Sequence, residues 1–268
     1  MRLIAAAGAV LTLAVTPASY LQSRQQADGG FAEPGGRSTP GLTAWAVLGL
    51  RAAGRPVDRG AAYLEAHQRE LDSATDVALG TLADAAAGRA AQALVGRLTA
   101  LRRDDGRIGP ATNSTAWGLL ALAQAGEPLP QRAIRYLLAQ QARSGGWAWV
   151  AGAAPDSNDT AAVVQALRAA HVRGRPIARA LAYLRRLQNR DGGFELTDGR
   201  GSDAQSTAWT IQAFLAAGAK PGRAAYRYLA RLRRADGSYR YNARYATTPV
   251  WVTAQVLPAV AGKPFPLR

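Results

Sequence analysis

Tyr183-Leu184, Gln188, Asp191-Gly192-Gly193-Phe194 and Thr207-Ala208-Trp209 form one phrase that this chain repeats. The same words stand at Tyr20-Leu21, Gln25, Asp28-Gly29-Gly30-Phe31 and Thr43-Ala44-Trp45. Six copies of the Tyr-Leu position fall at Tyr20, Tyr63, Arg97 (degenerate), Tyr136, Tyr183 and Tyr228. Turns follow at Asp28-Gly29-Gly30, Asp105-Gly106, Ser144-Gly145-Gly146, Asp191-Gly192-Gly193 and Asp236-Gly237, while the second copy carries Glu70-Leu71-Asp72-Ser73 instead. A fixed period near forty residues means an array of one supersecondary unit. After each turn runs an Ala/Leu-rich helix, expected at about 40–53, 73–87, 113–125, 158–171, 204–217 and 248–260. Before each turn runs an Arg-studded amphipathic one. Links such as Gly54-Arg55-Pro56 and Gly174-Arg175-Pro176 supply the stop and start signals.

The unit is therefore a helix hairpin, and six of them give an all-α chain of twelve helices. An amphipathic helix suits an outer ring and an apolar one an inner ring. No polar capping repeat appears at either end, as an open solenoid would require. The expected fold is an α/α toroid, an α6/α6 barrel, as one domain over 19–268.

Residues 1–18 read as an export signal: Arg2, an apolar run from Leu3 to Val15, then small residues at Thr16-Pro17-Ala18. The run is too short for a permanent membrane span, so a secreted or extracytoplasmic protein is expected. The 268 residues contain no Cys and only two His, His67 and His171, which argues against Cys nucleophiles and His- or Cys-based metal sites. No metal or other cofactor is expected. The formal net charge is +15, but nearly all of it is Arg scattered over helices. That reads as a solvated surface and not as a nucleic-acid stripe.

The repeat resembles that of the terpenoid cyclase and protein prenyltransferase superfamily. Arg132-Ala133, Tyr136-Leu137, Gln141 and Gly145-Gly146-Trp147 are similar to the cyclase "QW" motif. The resemblance spans nearly the whole chain and implies the toroid, while activity must be argued from a site. Squalene-type cyclases protonate an alkene from an Asp-x-Asp-Asp motif; that string does not occur, and Asp104-Asp105, the nearest pair, lies in a repeat turn. Those cyclases use two helical domains and this chain has one. The zinc site of the prenyltransferases and the thioester of complement-type toroids both need Cys. Asn158-Asp159-Thr160-Ala161-Ala162 and Ile108-Gly109 with Ser114-Thr115-Ala116 are similar to the α domain of the cobalamin carriers, intrinsic factor and transcobalamin. That likeness implies a ligand over the toroid's mouth, covered by a second domain or chain.

Candidate site residues come from positions where the repeats disagree. Counting from Thr43, Thr75, Thr115, Thr160, Thr207 and Pro249, the residues two on are Trp45, Val77, Trp117, Ala162, Trp209 and Trp251. Five on are Leu48, Gly80, Leu120, Gln165, Gln212 and Ala254. These columns share one helix face, expected to border the lumen, unless the Trp residues simply plug the core. The fourth and fifth loops are the most polar and add Trp147, Trp149, Asp156, Asp159, Asp203 and Gln205 around the mouth. Asp at a helix start is commonly an N-cap; carboxylates, amides and Trp around one opening also suit a pocket.

The candidate ligand-binding set is thus Trp117, Trp147, Trp149, Asp156, Asp159, Gln165, Asp203, Gln205, Trp209 and Gln212. The leading expectation is non-catalytic binding of a small molecule, a corrinoid among the candidates, with a partner chain. The alternatives are an atypical cyclase using Asp156, Asp159 or Asp203 as acid, and a scaffold for protein or cell-wall polymer. A dry, aromatic-lined cavity deep enough for a prenyl chain favours the enzyme, an open polar bowl the carrier, and a Trp-filled lumen the scaffold.

Overall fold

A computed structural model describes residues 15–267. Twelve helices alternate between two concentric layers. The outer layer holds α1 (Pro17–Gln22), α3 (Asp58–Ala66), α5 (Gln92–Ala100), α7 (Gln131–Ala139), α9 (Arg175–Arg186) and α11 (Arg223–Leu232). The inner layer holds α2 (Pro40–Ala52), α4 (Ala74–Ala86), α6 (Thr112–Gln124), α8 (Ser157–Ala169), α10 (Ala204–Ala216) and α12 (Pro249–Val260). Each inner helix packs on the next and α12 packs on α2, so the ring closes. The only strands among the described residues are a two-residue antiparallel pair, β1 (Phe194–Glu195) and β2 (Ser202–Asp203).

The repeated phrase is the machinery of this packing. The Gln side chain donates to the turn carbonyl: Gln25 to Gly29 at 2.9 Å, Gln141 to Gly145 at 2.8 Å, Gln188 to Gly192 at 3.0 Å. The aromatic after the turn is buried, and its N–H donates to the inner-helix Thr. Phe194 N reaches Thr207 Oγ1 at 2.8 Å, and Trp147 N reaches Thr160 Oγ1 at 2.9 Å. Gly192 sits at φ +88°, where a Cβ would meet the Ala224 carbonyl oxygen of the next outer helix at 2.7 Å. Only Gly tolerates both demands. Gly237, at φ +87°, docks in the same way on the Thr16 carbonyl, with the virtual contact at 2.6 Å. The sixth turn therefore closes the outer layer onto the first helix.

Of the export segment, residues 1–14 lie outside the described residues. Thr16 caps α1 through a capping box, and Pro17 and Ala18 form its first turn. No helix among the described residues is long and apolar enough to cross a membrane.

The inner helices place their N-termini at one mouth of the ring, where four loops tie to the preceding inner helix. Asn113 N donates to Trp149 O at 3.1 Å, Ser157 N to Leu196 O at 2.9 Å, and Ala204 N to Tyr241 O at 2.7 Å. Glu33 closes the belt, accepting from Val250 N at 3.0 Å and Trp251 N at 2.8 Å. The opposite mouth is stoppered by the C-terminal segment. Phe265 inserts beneath the inner ring, its N–H bonded to Gln165 Oε1 at 2.8 Å.

Candidate active site

The lumen narrows at three tryptophans from alternate inner helices. Trp45, Trp117 and Trp209 meet edge to face, with centroid separations of 5.4, 5.7 and 5.1 Å. This geometry suits aromatic quadrupoles. Phe265 packs under them at 6.4 Å from Trp45 and 6.1 Å from Trp117. The Trp column does face the lumen, with two corrections to its register. Helix α4 starts from the cap at Ser73, so Val77 takes the Thr position and Leu79 the Trp position. In α12 the aromatic N–H of Tyr239 bonds Thr253, not a residue at the helix start, so Gln255 takes the Trp position. Gln255 Oε1 duly accepts from Trp209 Nε1 at 2.9 Å.

Above this floor lies a cavity of about 340 Å³, toward the small end of the size range of ligand sites, roughly 300–1,000 Å³. Leu79, Leu196, Trp149 and Trp251 form apolar walls, and Asn113, Asp156, Asp159, Gln205 and Gln255 supply the polar groups. The opening is neither a wide polar bowl nor a lumen filled to the rim.

Asp159 is the chemical centre of this cavity. It stands in the first turn of α8, with 4% of its surface exposed. Asn113 Nδ2 donates to its Oδ1 at 2.6 Å. Asp156, the cap of α8, accepts the Asp159 N–H at 2.8 Å through Oδ1. The Asp156 carboxylate in the same turn also favours a proton on Asp159. Burial, then the Asp156 hydrogen bond and charge, push the Asp159 pKa up to about 8, against the pull of Asn113. A helix N-terminus favours a carboxylate by only about 0.3–1 kcal/mol, so desolvation wins. The carboxyl group of Asp159 is thus biased toward its protonated form, in a cavity walled by tryptophan. The Asn113 Oδ1 atom is buried and has no hydrogen-bond partner.

Of the residues expected in the site, Trp117, Trp149, Asp156, Asp159, Gln205 and Trp209 converge here. Trp147 does not: it is fully buried behind the mouth, its indole N–H donating to Leu137 O at 2.6 Å. Asp203 caps α10 and is closed off, accepting from Ser206 N at 2.7 Å and Ser206 Oγ at 2.9 Å. Gln165 and Gln212 are buried away from the cavity, Gln165 on Phe265 and Gln212 against α12. Beyond that set the lining adds Trp45, Thr75, Leu79, Asn113, Asn158, Leu196, Trp251 and Gln255. Asp156-Ser157-Asn158-Asp159 reads Asp-x-Asn-Asp, one acid short of the cyclase string with an amide in its place, and Asp156, Asn158 and Asp159 all line the cavity.

No family model and no curated protein matches the chain. Solved structures do. Type II terpene cyclase MstE from Scytonema shares 16% identity, over 91% of this chain and 95% of its own, with a TM-score of 0.73. The ent-copalyl diphosphate synthase from Streptomyces platensis shares 21% over 83% of this chain and 50% of its own, with a TM-score of 0.58. The fold is that of the terpenoid-cyclase-like α/α toroids. A glycosidase is also similar, at 14% identity over 92% of this chain and 94% of its own, with a TM-score of 0.64, so the fold admits more than one chemistry.

Two expectations are corrected here. A single toroid is no argument against a cyclase, because this chain covers nearly all of MstE. The reading as a non-catalytic, corrinoid-type carrier falls as well. MstE has been solved with the substrate geranylgeranyl dihydroxybenzoate and with the product merosterolic acid A, and the cavity here is a Trp-lined pocket holding a buried carboxyl group.

Proposed function

We propose that this chain is a proton-initiated isoprenoid cyclase with Asp159 as its general acid. The observation that carries the reading is a buried Asp, held by Asn113 and set beside Asp156, that opens onto a tryptophan-walled cavity, a setting that favours its protonated form. The Asp159 O–H bond breaks as its proton adds to an alkene carbon, and the O–H pair stays on the carboxylate. The alkene π pair forms the new C–H bond and leaves a tertiary carbocation. A second alkene in the chain attacks that carbon to close a ring. Loss of a proton ends the sequence, so product and substrate are isomers.

A raised pKa keeps the proton in place but weakens the acid, and three features offset this. Asn113 Nδ2 holds the oxygen that becomes anionic. The α8 N-terminus stabilises that charge. The Trp45, Trp117 and Trp209 rings line the cavity in which the cation forms, an interaction worth about 0.5–2 kcal/mol for each face so presented. The glycosidase chemistry fits less well. Its two carboxyl groups flank the sugar about 5–9.5 Å apart, whereas Asp156 and Asp159 share one helical turn, Asp156 accepting the Asp159 N–H.

The test is direct. Purified protein is incubated with farnesyl, geranylgeranyl and squalene-type alkenes and the extracts are searched for cyclic isomers of unchanged mass. Cyclic product from the wild type and none from Asp159→Asn is expected. Conversion that survives Asp159→Asn unchanged would remove Asp159 from its role.

A further inference from the structure

We infer that this site takes an isoprenoid with an uncharged, hydroxyl-bearing head and rejects the diphosphate esters. The inference rests on the cyclase reading and concerns the end of the substrate that does not react. A second, more open groove of about 540 Å³ adjoins the cavity, and Trp45, Leu79 and Trp251 line both. It lies over the start of α2, where the belt of loop-to-helix bonds has no member. The second repeat lacks the Gly turn there and is too short to cover it.

The charge in these two spaces is opposite to that of the whole chain. The protein carries 33 Lys and Arg against 18 Asp and Glu. Neither lining contains a Lys or Arg, yet together they contain the carboxylates of Glu33, Asp76 and Asp156 beside the Asp159 acid. A diphosphate brings two or more negative charges next to these carboxylates, with no cation in either lining to offset the repulsion.

Helix N-termini could still have welcomed a phosphate, but each of those at this mouth already holds an acceptor. Thr39 caps α2, Ser73 and Asp76 cap α4, Asp156 caps α8 and Asp203 caps α10. The Trp149 carbonyl takes a first-turn N–H of α6, and the Glu33 carboxylate takes those of α12. Asn113 Oδ1, the one buried lining atom left without a partner among the described residues, is an acceptor. It seeks a donor such as a hydroxyl and repels phosphate oxygen.

Equilibrium binding separates this inference from the cyclase reading because it needs no turnover. The probes are fully hydrogenated geranylgeraniol and its diphosphate ester, followed by quenching of the protein's tryptophan fluorescence. The alcohol is expected to bind at least tenfold more tightly than the diphosphate. Leu42→Arg, which puts a cation on a partly exposed groove position, is expected to narrow or invert that ratio. A diphosphate that binds wild type as tightly as the alcohol overturns the inference alone. If neither probe binds, the inference falls together with the cyclase reading.

Discussion

The starts of α8 and α10 are two copies of one device with different outcomes. Both begin with an Asp cap, Asp156 and Asp203, in extended backbone. Both carry the Thr that binds the preceding aromatic N–H, Thr160 and Thr207. They diverge three residues after the cap, at Asp159 and Ser206. Ser206 gives Asp203 both its backbone N–H and its hydroxyl, bonds that favour the carboxylate and pull against the burial that raises its pKa. Asp159 gives Asp156 its N–H but has no hydroxyl to offer. Instead, two carboxyl groups share one turn, and the buried one keeps its proton. One side chain at the third helical position separates a cap from an acid, and the scaffold around it is unchanged.

Copying α10 onto α8 is the strongest way to break the comparison. Asp159→Ser is expected to lower turnover by about 10²–10⁴-fold, the usual worth of a general acid, as measured by product formation. The same variant should melt at a higher temperature than wild type above pH 8. It no longer buries a carboxyl that must ionise there, and stability is commonly surrendered at active sites.

A third buried carboxyl tests whether burial alone makes an acid functional. Asp84 on α4 is nearly inaccessible and its Oδ1 has no partner. Burial pushes its pKa from 3.8 up to about 6, against Arg89 and Gln68. Below pH 3.8 it is protonated in both folded and unfolded chains and costs nothing. As pH rises through 6 the folded chain must ionise it, and the stability lost approaches about 3 kcal/mol. Asp84→Asn should recover most of that at pH 7 and little near pH 3.5, in denaturant titrations, with turnover untouched because Asp84 lines neither cavity nor groove.

The reverse graft sharpens the contrast further. Ser206→Asp builds the α8 arrangement at α10, where no cavity faces it. Asp203 loses a hydroxyl donor and gains a like charge. The expected cost is about 1–2 kcal/mol at pH 8, shrinking toward pH 4 as the new carboxyl protonates. Turnover should stay within a few-fold of wild type.

The fold was legible because its signals repeat: a Gly pair, a Gln and a Thr each make a bond that recurs in several hairpins. The lumen face was legible for α2, α6 and α10, where cap and Thr keep a constant spacing. It slipped at α4 and α12 because the phase of a helix is set by where its cap forms. Thr75 follows the Ser73 cap by only two residues, and Thr248 enters α12 from a left-handed backbone. Trp147 and Trp149 look alike in sequence, but extended chain alternates its faces. Trp147 is therefore core, and Trp149 stands 54% exposed at the mouth. Asn113 lay hidden in Asn113-Ser114-Thr115, which reads as a surface sequon. The chemistry of Asp159 was the least legible part. An acid in a first helical turn ordinarily reads as favourable dipole pairing, and only depth of burial reverses its charge.

The subtlest comparison is within the α8 turn itself. Asp156→Asn keeps an oxygen to accept the Asp159 N–H, and Asn caps a helix about as well as Asp. What disappears is the negative charge that helps hold the proton on Asp159. The Asp159 pKa should fall, by about a unit or less, because burial remains the larger cause. Activity needs the protonated acid, so the alkaline limb of the pH–rate profile, near pH 8 in wild type, should move to lower pH with little change in its acidic plateau. A limb that stays in place would assign the raised pKa to burial alone and reduce Asp156 to a cap, which is the role Asp203 plays one repeat later.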